Sequence, residues 1–251
     1  MSGTKYSFQR YEKKYLLDEE QYEKFSSALS GHMKADAFAH STVCNVYYDT
    51  PDFSLVRASL DKPIYKEKLR VRSYGVPGRD GQVFLEIKKK YDGIVYKRRT
   101  AMTDAEAANY LRHGIAPAED SQIFREIDWF VRSHELEPKV YLAYDRTALV
   151  GTDDSALRMT FDRHIRWRRS DLNLCRGDMG EELMPEGTVL LEIKMPGAAP
   201  MWLAELLSEL KIYPTTFSKY GKCYATMLSR GELGGEFHAA EITGMGVTDC
   251  A

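Results

Sequence analysis

In five separate segments of this chain, charged side chains recur at every second residue with apolar ones between them. Lys68, Arg70 and Arg72 alternate with Leu69 and Val71, and Glu86 and Lys88 with Leu85 and Ile87. Glu192 and Lys194 alternate with Leu191 and Ile193, Glu12 and Lys14 with Tyr11, Lys13 and Tyr15, and Arg158, Thr160 and Asp162 with Met159, Phe161 and Arg163. Side chains at i and i+2 share one face of a strand, so each segment reads as a strand with one charged and one largely apolar face. Like charges about 7 Å apart repel by about 2 kcal/mol at an effective dielectric of 20, and by well under that in water. Cations stacked on several strands therefore need solvent or a counter-anion. Either this is an antiparallel sheet with one wet face, or about eight such strands close into a barrel with the charge inside and helices covering the apolar outside. In the second case the lumen selects a polyanion, and its interleaved carboxylates suit a divalent metal held with phosphate.

The rest of the chain supplies enough elements for that architecture. Strands are expected at 9–17, 42–49, 66–74, 82–90, 94–100, 139–150, 156–168 and 187–195. Asp92-Gly93 joins two of them by a hairpin signal. Helices are expected from Asp18 to about Leu29, over 103–112, 119–134 and 202–210, and from Ser218 to Leu228. Tyr47, Tyr48 and Phe53 are expected to pack a corner, and Trp202 with its neighbouring leucines to be core. The fold class is α+β: an eight-stranded antiparallel β-barrel tunnel with a charged lumen and helices packed on the outside. Residues 1–230 read as one domain and 231–251 as a Gly-rich C-terminal tail.

Composition narrows the functions. The 251 residues carry 35 Lys plus Arg against 37 Asp plus Glu, a net charge of −2, so bulk charge offers nothing to a nucleic acid. No run of about 18 apolar residues and no secretory leader pattern occurs, which leads to the expectation of a cytoplasmic protein without an intrinsic membrane segment. Cys44, Cys175, Cys223 and Cys250 are scattered too widely for a metal or redox motif and read as reduced thiols. Phosphate-loop, dinucleotide, HExxH and GxSxG motifs are absent. The six histidines form no ligand spacing; His164 reads as a polar residue on the Arg158 face.

Seven short motifs, in order, resemble those of the triphosphate tunnel metalloenzymes and, within them, the VTC-type domain that polymerises polyphosphate. They are RYEKKYLL (10–17), VYYDTPD (46–52), EKLRVRSYG (67–75), FLEIKKK (84–90), YDRTAL (144–149), LLEIKMP (190–196) and FSKYGK (217–222). The resemblance spans Tyr6 to Leu228. It implies an eight-stranded tunnel that takes a nucleoside triphosphate or polyphosphate with a divalent cation. The triphosphatase and cyclase branch opens with ExExK, whereas Arg10, Glu12 and Lys14 stand here; the missing first glutamate matches the VTC-type pattern.

The resemblance implies phosphate contacts from Lys14, Arg70, Arg72, Lys88, Arg146, Arg158 and Lys219, extending to Ser218 and Tyr144, with Glu192 as metal ligand. Arg70 and Arg72 suit bidentate contact with successive phosphoryl oxygens. Lys14, Lys88 and Lys194 are compact charges suited to neutralising oxygens along a phosphate chain or, alternatively, to pairing with Glu12, Glu86 or Glu192. Lys68 shares the Arg70 face as a further substrate contact, and Lys219 opens a helix whose N-terminus favours anions. Glu86 and Glu12 are expected to assist Glu192 in holding Mn²⁺ or Mg²⁺; structural ion pairs are the competing reading for all three. Expected partners are ATP and polyphosphate, with room for a membrane-associated protein. Three functions follow: polyphosphate polymerase, triphosphatase or short-chain polyphosphate hydrolase, and non-catalytic polyphosphate or inositol-phosphate sensor.

Overall fold

Eight long strands and two of two residues pair antiparallel throughout a single sheet in the computed structural model, which describes residues 11–61, 63–92, 94–117 and 121–233. The strands are β1 (Tyr11–Leu17), β2 (Met33–Asp49), β3 (Tyr65–Tyr74), β4 (Gln82–Tyr91), β5 (Ile94–Thr103), β6 (Glu137–Gly151), β7 (Arg158–Arg168), β8 (Glu181–Glu182), β9 (Val189–Met195) and β10 (Pro214–Thr215). They run in the order β10-β1-β9-β7-β6-β2-β3-β4-β5, with β8 added to β7. Six helices accompany them: α1 (Glu19–Ala28), α2 (Ser54–Leu60), α3 (Asp104–His113), α4 (Gln122–Ser133), α5 (Met201–Glu209) and α6 (Lys219–Ser229). The α+β class and the antiparallel order agree with the sequence. Among the described residues the pairing path runs from β10 to β5, with no hydrogen-bonded pair between those two strands.

The alternating segments fold as the charge pattern requires, with their apolar faces beneath helices. Leu69, Val71, Leu85 and Ile87 of β3 and β4 pack under Tyr110 of α3 and Phe124, Ile127 and Phe130 of α4. Tyr15, Leu17, Met159, Phe161, Leu191 and Ile193 pack under Phe25 of α1 and Leu203 and Leu207 of α5. Each large side chain so buried contributes about 1.5–3 kcal/mol. Capping boxes start α1, from Asp18 to Gln21, and α3, from Thr103 to Glu106.

Not every helix lies outside. Val43, Leu142, Tyr144 and Leu190 share the faces of β2, β6 and β9 that carry Asn45, Arg146 and Glu192, and they pack against Tyr220, Cys223, Tyr224 and Met227 of α6. The inner faces turn apolar at this end, and an amphipathic helix fills it. Helix α2, absent from the sequence reading, supports α6 from behind. The buried Asp49 carboxylate accepts Leu55 N at 2.9 Å, Val56 N at 3.0 Å and the Tyr220 hydroxyl at 2.8 Å.

An extra residue in β7 shifts its register on β6 between Ala143 and Asp145. His164 there has φ 46° and leaves the Arg158 face, its Nδ1 lying 3.1 Å from Asp145 Oδ2. This corrects its expected placement. Cys44, Cys175 and Cys223 are free thiols. Arg10, Gly93, Glu119, Cys250 and nearly all of the tail at 231–251 lie outside the described residues. Among those described, no helix is long and apolar enough to cross a membrane.

Candidate functional site

Strands β3, β4 and β5 build one wall. Pairing puts Lys68 opposite Lys88 and Lys88 opposite Lys97, while Arg70, Glu86 and Arg99 form the next row. Glu86, 1 % exposed, is the centre of that wall. Its Oε2 accepts Arg70 Nε and Nη2 at 2.9 and 2.7 Å and lies 3.8 Å from Arg72 Nε; Lys97 Nζ is 2.7 Å from Oε1. Arg72 donates from Nε to Asn45 Oδ1 at 2.9 Å and from Nη2 to the Tyr144 hydroxyl at 3.3 Å. Arg70 also donates to the Tyr47 hydroxyl at 3.0 Å.

The facing wall comes from β1, β9, β7 and β6. Lys14 Nζ lies 3.9 Å from both Glu12 and Glu192, and Glu192 pairs with Lys194 on its own strand. Arg146 on β6 grips Asp162 on β7 with two bonds, Nε to Oδ1 at 2.6 Å and Nη2 to Oδ2 at 2.8 Å. The start of α6 enters between the walls. Phe217 O accepts Lys14 Nζ at 2.8 Å, Ser218 Oγ accepts Lys68 Nζ at 2.9 Å, and Lys219 Nζ donates to Asp162 Oδ2 at 2.5 Å. The Tyr144 ring gathers the two sides, with Arg146 5.1 Å and Lys219 4.3 Å from its centroid. Arg72, Arg146 and Lys219 thus converge on one side chain.

Crowded cations in a partly dry space shift titration. Burial, then the neighbouring Lys88, Lys14, Lys66 and Arg70, lower the Lys68 amine to about 7. Lys14 and Lys88 are lowered for the same first reason. Lys88 has no hydrogen-bond or ion-pair partner among the described residues, yet it feels Glu12, Lys14 and Glu192, so β4 looks across at β1 and β9. Burial favours a neutral Glu86, but Arg70, Arg72 and Lys97 outweigh it and hold the acid at about 2. Burial likewise opposes ionisation of Tyr144, and Arg146, Arg72 and Lys219 reverse it, bringing the phenol to about 8.

Of the residues singled out in the sequence, Lys14, Lys68, Arg70, Arg72, Lys88, Tyr144, Arg146, Glu192, Lys194, Ser218 and Lys219 line this concave face. Arg158 sits at its rim, half exposed and 3.6 Å from Asp36. The three carboxylates expected to share a metal are not brought together. Glu86 is engaged by Arg70 and Lys97 on the opposite wall, and no group of three or more His, Cys, Asp or Glu among the described residues could hold an ion.

A smaller set offers oxygens of the kind a divalent cation takes. Glu12 and Glu192 both approach Lys14, and the Thr160 hydroxyl, cross-strand from Glu192, is buried with no hydrogen-bond partner among the described residues. Such hard oxygens, completed by water and phosphate, suit Mg²⁺ or Mn²⁺.

Sequence reasoning missed Lys97, Asn45, Tyr47 and Phe217 and gave Asp162 no role. Lys97 was within reach. A two-residue turn at Asp92-Gly93 pairs Tyr91 with Ile94, and counting back from it sets Lys97 opposite Lys88 and Arg99 opposite Glu86.

Comparison with known proteins bears on the fold and the family. No curated protein matches the chain significantly. Among solved structures, a candidate adenylate cyclase from Bacillus halodurans shares the fold, with TM-score 0.52 and 15 % identity over 82 % of this chain and 92 % of that one. HpAC1 from Hippeastrum, described as a candidate adenylyl cyclase with a dominant triphosphatase activity, is 18 % identical over 92 % of this chain and 100 % of its own, with TM-score 0.49. The profile of the VTC domain matches residues 9–228. With that match covering most of its length, the chain belongs to the VTC domain family.

Proposed function

We propose that this protein is a polyphosphate polymerase, transferring the γ-phosphoryl group of ATP to the end of a polyphosphate chain inside a charged tunnel. The observation that carries this reading is the convergence of Lys14, Lys68, Arg70, Arg72, Lys88, Arg146 and Lys219 on one concave face without a His or Cys nucleophile among them. Phosphoryl transfer needs positioning and charge neutralisation more than covalent catalysis. A terminal phosphate oxygen of the acceptor forms the new P–O bond, the bond between the β–γ bridging oxygen and the γ-phosphorus breaks, and ADP leaves with that electron pair. Arg70, Arg72 and Arg146 orient non-bridging oxygens, and Lys14, Lys68 and Lys88 neutralise the charge along the chain. Glu192, with Glu12 and the Thr160 hydroxyl, would hold a divalent cation, which supplies charge stabilisation to the transferring phosphoryl group. Arg10 in place of the first glutamate of ExExK supports this reading over that of the triphosphatase branch.

A second reading, hydrolysis of a short triphosphate by water, is favoured by α6, which fills one end of the concave face. Incubation with ATP and Mn²⁺ followed by phosphorus NMR tests both. Internal phosphate signals of long chains are expected, and orthophosphate alone would replace the first reading with the second. Tripolyphosphate binding that survives Glu192→Gln, with no turnover in the wild type, would identify a sensor.

A further inference from the structure

One carboxylate ties together the strands and the helix of this site. Asp162 is 0 % exposed, and its two oxygens take three donors: Arg146 twice, at 2.6 and 2.8 Å, and Lys219 at 2.5 Å. Arg146 belongs to β6 and Lys219 opens α6. The two residues before Lys219 receive the remaining bonds, Phe217 from Lys14 on β1 and Ser218 from Lys68 on β3. Three consecutive residues, 217–219, are therefore held by three strands, and among the described residues their one ion pair is the buried bond to Asp162.

On charge alone a carboxylate does not belong here, because it repels the anion that the surrounding cations would attract. Its geometry gives another reason for its presence. A bidentate grip fixes the plane of the Arg146 guanidinium, and the shared Oδ2 fixes Lys219 beside it, so both lose their rotamer freedom before any ligand arrives. Preorganised charges stabilise a polyphosphate better than mobile ones do.

We propose that Asp162 is a positioning residue: it contacts no phosphate, and it sets Arg146, Lys219 and the Phe217–Lys219 segment at the spacing of a triphosphate's oxygens. This inference rests on reading the concave face as a triphosphate or polyphosphate site, but not on which reaction takes place there.

The test is calorimetric titration of the wild type, Asp162→Asn and Asp162→Glu with inorganic tripolyphosphate and with sulfate at fixed ionic strength, alongside melting temperatures. Positioned cations discriminate between the two anions. The wild type is expected to prefer tripolyphosphate. In Asp162→Asn that preference falls at least tenfold although the site gains positive charge, and Asp162→Glu falls between the two. If both anions instead bind Asp162→Asn more tightly to the same degree, Asp162 contributes only to bulk charge and the proposal is overturned. Should Asp162→Asn fail to fold, Asp162→Glu decides: a threefold or greater loss of preference supports positioning, and an unchanged preference overturns it. A wild type without preference for tripolyphosphate removes the anion-site reading and this inference together. A wild type that prefers tripolyphosphate but makes no polymer loses the polymerase reading alone, and the variant series still decides the role of Asp162.

Discussion

Lys68 Nζ donates to the Ser218 hydroxyl across 2.9 Å, joining β3 to the N-cap of α6. The lysine is opposite Lys88 and near Lys14, so burial and like charge together bring its amine from 10.5 to about 7. This face thus contains an amine ready to take up a proton when an anion approaches it.

That lysine predicts how stability and binding respond to pH. Above about 7 the folded protein has released a proton that the unfolded chain keeps up to 10.5, so the unfolded state binds more protons in this window and stability rises with pH. Lys97, lowered to about 8 chiefly by burial, acts in the same direction. Melting temperature should increase from pH 7 to pH 9 and increase less in Lys68→Met. Tripolyphosphate favours the charged amine, so binding should weaken over the same range. Calorimetry in two buffers of different ionisation enthalpy should show proton uptake at pH 8.

Glu86 is predicted to be a stability residue. Glu86→Gln leaves Arg70, Arg72 and Lys97 without their shared anion, which should cost about 3 kcal/mol in urea unfolding. Tripolyphosphate should restore part of the loss, because it replaces the missing charge. For the same reason Arg70→Ala should lower stability as well as turnover; its repulsion from other cations is offset by its bond to Glu86.

Glu192→Gln should separate metal dependence from anion binding. Lys194 and Lys14 keep this acid well below the usual carboxylate range despite its burial, so it is charged at any working pH. The variant should lose at least about 100-fold in Mn²⁺-dependent turnover. Metal-free tripolyphosphate affinity should hold or tighten. A loss of metal-free binding would show that Glu192 organises Lys14 and Lys194 rather than an ion.

Asp49→Ala should loosen the back of the site. It removes two backbone caps from α2 and the hydroxyl partner of Tyr220, a loss of about 3 kcal/mol. Chemical denaturation should show the loss, with metal dependence unchanged in the folded protein.

The charged walls were legible because strand alternation is strict where one face is buried. Lys68, Arg70 and Arg72 land together for the same reason that Leu69 and Val71 do. Legibility failed where that rule breaks. The first half of β2, from Met33, has Ala35, Asp36 and Ala37 in place of an apolar row, so nothing marked it as strand. Helix α2 is seven residues long, follows Phe53 at φ 62° and takes its cap from Asp49, too far upstream to resemble a local signal. The extra residue at His164 reverses the faces of β7 beyond it. Glu86 was read as a metal ligand because its strand pattern is the same as that of Glu192. What distinguishes the two is the neighbouring strand: Lys97 reaches Glu86 from β5, while Glu192 faces Lys14 and a Thr160 hydroxyl that has no partner among the described residues.

Helix α6 makes the concave face a cul-de-sac. Cations line the approach as far as Lys219, and beyond it Tyr220, Tyr224 and Met227 offer an anion nothing to hold. On the polymerase reading, the lengthening phosphate chain and the incoming nucleotide would both enter from the charged end, opposite α6. Each addition would then require the chain to back out by one unit, so the grip of Lys14, Lys68 and Lys88 must be loose enough to slip, and chain length would be set by how often slipping becomes release.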